Sequence, residues 1–285
     1  MEKTILQIAS TELNIGTKKE YRFFQISDMH LSVMDDQSSE LDINDNKRCH
    51  KQWDSLKYEF AQQHNELCDE RYDIEPNIIF EMLCDYAVSQ KVDTIIFSGD
   101  IFDRVTDSNI RYLKRLLKDL PMPAIYCPGN HEYMSEIEKN IDQKHRLIGL
   151  LDTKGIEAIE YDDFLLVAFD NGSDIITDYQ IEKLEELINT NKKIILAMHK
   201  PLLLGEFGDN LLSKIGSYFF MGKESDCKNV KKIVSMIKEN DDRFIAVLCG
   251  HIHSAHEYKI TKNLKQISTS SGLIGAGRII TIKWG

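Results

Sequence analysis

The chain has 285 residues, 42% apolar and 28% charged, with only 15 Gly and 5 Pro, which excludes a disordered, collagen-like or low-complexity protein. Its 46 acidic against 35 basic side chains leave a net charge of −11, which argues against nucleic acid or an anionic membrane as the partner. No run reaches the roughly 18 apolar residues that span a bilayer, and residues 1–7 lack the apolar stretch of a signal peptide, so a cytoplasmic protein is expected.

Taken in chain order, short runs rich in β-branched and aromatic residues predict strands at 21–27, 94–98, 124–127, 164–169, 194–198, 244–249, 264–269 and 279–283. Helical patterns lie between them, at Ile78, Ile79, Met82 and Leu83, then at Ile110, Leu113 and Leu117. Two more follow at Ile181, Leu184 and Ile188, and at Val230, Ile233 and Ile237. Strand and helix alternate, which predicts an α/β fold, and no linker interrupts it, so 1–285 reads as a single domain. Two stretches break the rhythm. The polar, acidic segment 33–75 carries a predicted helix around Trp53, Leu56, Phe60 and Leu67; it is expected to cap a cleft, the alternative being a peripheral helix hairpin. The second, 202–226, holds Tyr218-Phe219-Phe220 and is a candidate lid loop. Six cysteines, Cys49, Cys68, Cys84, Cys127, Cys227 and Cys249, form no C-x-x-C pair and fit free thiols in a reducing cytoplasm.

Ligands of α/β proteins bind at the carboxyl ends of strands, and here those ends are rich in metal-ligand side chains. The strand at 21–27 is followed by Asp28-Met29-His30, that at 94–98 by Gly99-Asp100-Ile101-Phe102-Asp103, and that at 124–127 by Pro128-Gly129-Asn130-His131-Glu132. The strand at 194–198 delivers His199, and that at 244–249 delivers Gly250-His251-Ile252-His253. Each has a plain reading alone: Asp28 can cap a turn, Asn130 beside Gly129 can form one, and His199 before Lys200-Pro201 can simply end a strand. Convergence decides, because five of the nine histidines follow predicted strands. Neutral imidazoles with carboxylate and amide oxygens suit Mn, Fe or Zn, and the absence of cysteine from the set disfavours a structural zinc. Residues two apart in an extended segment face one way, which predicts that Asp28 pairs with His30 and His251 with His253. The donors exceed what one ion needs.

The order D-x-H, G-D-x-x-D, G-N-H-E, a lone H after a strand and G-H-x-H resembles the calcineurin-like metallophosphoesterase superfamily. The resemblance implies a two-sheet β-sandwich core flanked by helices, an αββα arrangement. It implies that Asp28, His30 and His253 hold one ion, that Asn130, His199 and His251 hold another, and that Asp100 bridges them. It implies hydroxide between the ions as nucleophile and His131 as general acid, with Asp103 as partner of its imidazole; the plain alternative makes His131 a structural histidine beside the ligands.

Departures from subfamily patterns narrow the activity. Asp103 stands where purple acid phosphatases place a metal-binding Tyr. Serine/threonine protein phosphatases have an Arg before G-N-H-E, where this chain has Pro128; Arg104 precedes Val105, and Leu31 follows His30. The missing phosphate clamp favours a phosphodiesterase acting on a small molecule or nucleotide over a phosphomonoesterase or protein phosphatase. A catalytically inactive scaffold is disfavoured because every ligand position and His131 are filled. Competing motifs fail: Gly216 to Lys223 has the wrong spacing for a phosphate-binding loop and Glu224 after the Lys. Residues 272–277 do not match G-x-G-x-x-G and read as a tight connection between strands, the alternative being a loop that brings Arg278 to the substrate.

Overall fold

The computed structural model describes residues 6–63, 74–134, 155–204, 219–223 and 225–283. Two mixed sheets stack face to face. The first runs in the order β1 (Gln7–Asn14), β11 (Ala276–Lys283), β2 (Tyr21–Ile26), β3 (Thr94–Phe97) and β4 (Ala124–Tyr126), parallel except between β11 and β2. The second has the order β5 (Ile156–Glu160), β6 (Phe164–Phe169), β7 (Lys193–Ala197), β8 (Phe244–Cys249), β10 (Lys265–Ser268) and β9 (His256–Lys259), with antiparallel pairs at its two edges only.

Phe23, Ile96, Phe164, Ile195, Leu248 and Ile280 belong to the core between the sheets. The Phe23 and Phe164 rings meet there at 5.9 Å, and burying each contributes about 1.5–3 kcal/mol. Outside the first sheet lie α2 (Pro76–Ser89) and α3 (Asp107–Asp119), and outside the second α4 (Asp178–Asn189) and α5 (Lys228–Glu239), each pair sealed by one apolar cluster. This is the expected αββα arrangement. Strands β3, β6 and β8 are buried at every position, which is why they read as unbroken apolar runs. Strands β1, β5 and β9 were absent from the sequence expectation; they lie at sheet edges, carry polar residues at exposed positions, and so lack that signal.

Among its described residues the segment 33–75 supplies one long helix, α1 (Glu40–Gln63), and Leu67 lies outside them. Much of 202–226, including Tyr218, lies outside them too, so the lid expectation falls there. Residues 272–277 form a short 3-10 turn, Gly272–Ile274, that runs directly into β11, as the tight connection predicts. The alternative is corrected: Arg278 is 3% exposed within β11 and donates to Glu257, Thr11 and the Ser268 carbonyl, because a guanidinium between strands must be paired. Cys49, Cys84, Cys127, Cys227 and Cys249 are free thiols, and Cys68 lies outside the described residues. No helix among the described residues is long and apolar enough to cross a membrane.

Candidate active site

The loops after β2, β3, β7 and β8 are laced together by backbone bonds at one end of the sandwich. Asp28 N–H donates to the Gly99 carbonyl at 2.9 Å, His30 N–H to Asp100 at 2.9 Å, Asp103 N–H to Leu31 at 3.0 Å, and Gly250 N–H to His199 at 3.0 Å. The side chains do not converge through strand alternation, as the sequence suggested. Asp28, His30, Asp100, His251 and His253 all have left-handed backbones, with φ between 48° and 68°, and that conformation turns each of them into the site. Two glycines permit the crossing. Gly99 has φ +90° with the His199 ring against its α-carbon, and a side chain at Gly250 would collide with Ser27 and Asp28.

Among the described residues three His/Asp groups are spaced to hold an ion; His30, Asp103 and His131 form one, and the other two carry the expected ligands. In one of these two, His253 Nε2 lies 3.2 Å from both His30 Nε2 and Asp28 Oδ1. In the other, His199 Nε2 lies 3.1 Å from Asp100 Oδ2 and 3.2 Å from both Asn130 Oδ1 and His251 Nδ1. Donor atoms about 2.1 Å from a transition-metal ion stand about 3.0–3.4 Å from one another, so each group has the spacing of an ion's coordination shell. His199 Nδ1 is held by the Ser98 carbonyl at 2.8 Å, which fixes the ring so that Nε2 faces the group. These His/Asp groups could hold metal ions, and the donor set fits them.

His131 lies beside both groups. Its N–H donates to Asp100 Oδ1 at 2.8 Å, and its Nδ1 stands 3.0 Å from Asp103 Oδ1. His30 Nδ1 is 3.5 Å from the same oxygen, too long to satisfy that buried nitrogen.

The motifs, the sandwich and the converging donors agree with the comparisons. The calcineurin-like phosphoesterase family model matches residues 21–255. The chain belongs to the calcineurin-like phosphoesterase family. It is similar to a probable cyclic nucleotide phosphodiesterase of Coxiella burnetii, with 23% identity over 184 residues, covering 62% of this chain and 67% of that protein. It is also similar to a probable glycerophosphodiester phosphodiesterase of Arcobacter nitrofigilis, with 23% identity over 174 residues and 57% of each chain covered. The matched segment thus spans little more than half to two thirds of these relatives' length. A dimetal phosphatase from Danio rerio shares the fold, at a TM-score of 0.53 and 11% identity over 89% of this chain and 88% of that one. The domain is that of a metal-dependent phosphoester hydrolase.

Several residues that shape the calcineurin-like site were not singled out in the sequence. Glu132, fully buried, accepts from the backbone of Asp100 at 2.9 Å, Phe102 at 3.0 Å and Gly129 at 2.6 Å, and from the Tyr126 hydroxyl at 2.8 Å. It ties the second and third motif loops together, and its place in G-N-H-E was the available signal. Asn171 accepts from the backbone of His199 and Lys200 at 2.9 and 3.0 Å; it follows β6, a strand end that could have been inspected like the others. Ser271 donates to the Asp28 carbonyl at 2.6 Å from a turn with no motif signal. Trp53, expected on the apolar face of the cap helix, also donates through Nε1 to Asp103 Oδ1 at 2.7 Å, and Cys49, expected as a free thiol, donates to Asp103 Oδ2.

Burial disfavours charge on the rings of His30, His131, His199 and His251. It pushes His30 down to about 4 and His251 down to about 3, the neighbouring rings of His131 and His199 adding to it. For His199 and His131 the same burial is outweighed. The Asp100 and Asp28 carboxylates drive His199 up to about 9, and Asp103 with Asp100 raises His131. Despite their own burial, Asp28 is held down to about 2 by His253 and His199, while Asp100 and Asp103 stay below the usual carboxylate range through the histidines beside them. Burial pushes the Cys49 thiol up to about 12, so it is a neutral donor.

Two outcomes follow. Glu132→Gln turns one acceptor oxygen into a donor facing two hydrogen-bond donors already in place, and should cost about 2–4 kcal/mol in a denaturant titration of the metal-free protein. His199 keeps its proton at neutral pH without metal, while His30 and His251 have already lost theirs. Ion uptake at the His199 group should therefore release about one proton at pH 7 and almost none above pH ~10, read calorimetrically in buffers of different ionisation enthalpy.

Proposed function

We propose that the chain is a phosphodiesterase acting on a small-molecule or nucleotide substrate with two transition-metal ions, drawn from Mn, Fe and Zn. In this reading Asp28, His30 and His253 hold one ion, Asn130, His199 and His251 the other, and Asp100 serves both. Such a pair of ions supplies Lewis acidity, lowers the pKa of water and neutralises charge on the phosphoryl oxygens. The observation that carries the reading is the presence of two coordination-spaced donor groups with the His131–Asp103 pair beside them.

The protein's own groups do the rest. Asp103 occupies Nδ1 of His131, which leaves Nε2 to protonate the leaving oxygen, and the carboxylate favours the charged ring that an acid needs. The preference for diesters rests on the scarcity of available cations. Among the described residues, Arg104 bonds the Asp103 carbonyl, Lys200 is paired with Asp174 at 2.7 Å, and Arg278 with Glu257 at 3.0 Å. A monoester dianion asks for more positive charge than a singly charged diester. The names of the Coxiella and Arcobacter relatives point the same way.

The reading takes 1–285 as a single domain in which α1, part of the proposed cap 33–75, walls the centre on the His30 side. Free thiols fit a reducing compartment such as the cytoplasm.

Elemental analysis of protein saturated with Mn or Zn should find about two ions per chain, the number two adjacent donor groups require. A ratio at or below one would overturn the dinuclear reading. Asp100→Asn should weaken both sites and abolish hydrolysis. His131→Ala should keep its metal and lose turnover by about 10²–10⁴, less for esters with a 4-nitrophenolate leaving group, which need little protonation. Across a panel of esters, diesters should be cleaved faster than matched monoesters; the reverse ranking would make the protein a monoesterase.

A further inference from the structure

The groups that turn Asp103 towards His131 come from a helix outside every motif. Asp103 is 1% exposed, and its two carboxylate oxygens are gripped separately. Oδ1 accepts from Trp53 Nε1 at 2.7 Å as well as from His131 Nδ1 at 3.0 Å, and Oδ2 accepts from the Cys49 thiol. Trp53 and Cys49 are four residues apart on α1, so one helix face presents both. The Trp53 indole also lies flat on the His30 imidazole, with ring centroids 3.8 Å apart and planes 28° apart. Behind it, Trp53, Cys49 and Leu273 close a buried apolar cluster against the turn that follows β10.

We infer that Trp53 and Cys49 are positioning residues that lock the Asp103 carboxylate, and through it the His131 ring, so that α1 aims the proton donor as well as covering the cleft. A carboxylate held by a donor on each oxygen cannot rotate about its Cβ–Cγ bond. Without the indole N–H, Asp103 is free to turn towards His30 Nδ1, 3.5 Å away and otherwise unsatisfied, and His131 would follow it or lose its partner. Displacements of about 1 Å in a catalytic group cost up to about 10²-fold in rate. The indole face on His30 makes the same helix a support for one donor group of the metal centre. The inference rests on the proposed role of His131 as acid.

The test compares Trp53→Phe, which keeps a ring on His30 but drops the N–H, with Cys49→Ser, which keeps a donor, and Cys49→Val, which does not. Full-length, Mn-loaded proteins are assayed on a 4-nitrophenyl diester and on a dialkyl diester. W53F should lose about ten-fold more kcat on the dialkyl ester than on the nitrophenyl ester, with KM and metal content unchanged, because only the poor leaving group needs the aimed proton. C49V should show the same split to a smaller degree and C49S should restore it. Equal losses on both esters, or none, would reduce α1 to packing and overturn the inference. Should W53F fail to fold, the Cys49 pair decides by the same criterion. A second readout needs no turnover: in Zn-loaded chain labelled with ¹⁵N-histidine, the His131 ring signals, identified by their loss in H131A, should move in W53F and stay in C49S. Signals unmoved in W53F would overturn the inference even if the wild-type protein cleaved neither ester, an outcome that would separately refute the diesterase reading.

Discussion

Four carboxylates, those of Asp28, Asp100, Asp103 and Glu132, are at most 2% exposed and share one end of the sandwich. Left uncompensated, so many buried negative charges would cost more than the net stability of a domain. The surrounding structure is arranged to carry them, and each is handled differently. Glu132 is wrapped in backbone N–H groups, Asp103 is shared among His131, Trp53 and Cys49, and Asp28 and Asp100 take His253 and His199 together with the backbone of His251 and His131. Asp28 and Asp100 keep oxygens directed at the Nε2 atoms of His253 and His199, while Asp103 Oδ1 stands among His131, His30 and the Trp53 indole. Of the four, Glu132 belongs to none of the His/Asp groups that, among the described residues, could hold an ion, and it serves the scaffold.

The backbone carries the cost of that arrangement. Left-handed φ values at five non-glycine residues of the site amount to about 1–3 kcal/mol each. They persist because the loops are over-determined. Glu132 pins the loops after β3 and β4, Asn171 holds the start of the loop after β7, and Ser271 holds the Asp28 carbonyl. Removing Glu132 or Ser271 frees a strained residue, Asp100 or Asp28, as well as a hydrogen bond. The polar second layer is therefore as much a part of the site as the groups that would touch an ion.

Much of the architecture was legible because burial and periodicity mark it directly. Strands covered on both faces have no polar positions, so β3, β6 and β8 stand out, whereas the edge strands β1, β5 and β9 mix polar and apolar residues and do not. The candidate ligands were legible because each is fixed by its strand end rather than by distant contacts. The reason given for their convergence was mistaken: alternation along an extended chain is a property of sheets, and these residues lie past the sheet in left-handed turns. Trp53 illustrates what sequence pattern cannot carry. Its apolar helical spacing predicted a buried face, which it has at 6% exposure, but nothing in that spacing reveals that the indole N–H meets Asp103 or that the ring covers His30.

The helix bearing Trp53 is tied in at its entry as firmly as a core element. Asn109, buried at the start of α3, accepts from Val33 N–H at 2.7 Å and donates to the carbonyls of Leu31 and Arg104 at 3.2 and 2.7 Å, joining the exits of the first two motifs. Residues 31–35 thus leave the site along a fixed path, and α1 begins from it. The donor groups have a matching interdependence between the sheets. Asp28 and His30 follow a strand of the first sheet and meet His253 from the second; His199 and His251 belong to the second and meet Asp100 and Asn130 from the first. Neither group exists until the sheets are stacked in register. Ion binding then draws on the same free energy as the interface between the sheets, so whatever holds Phe23 against Phe164 also holds the donors at coordination distance.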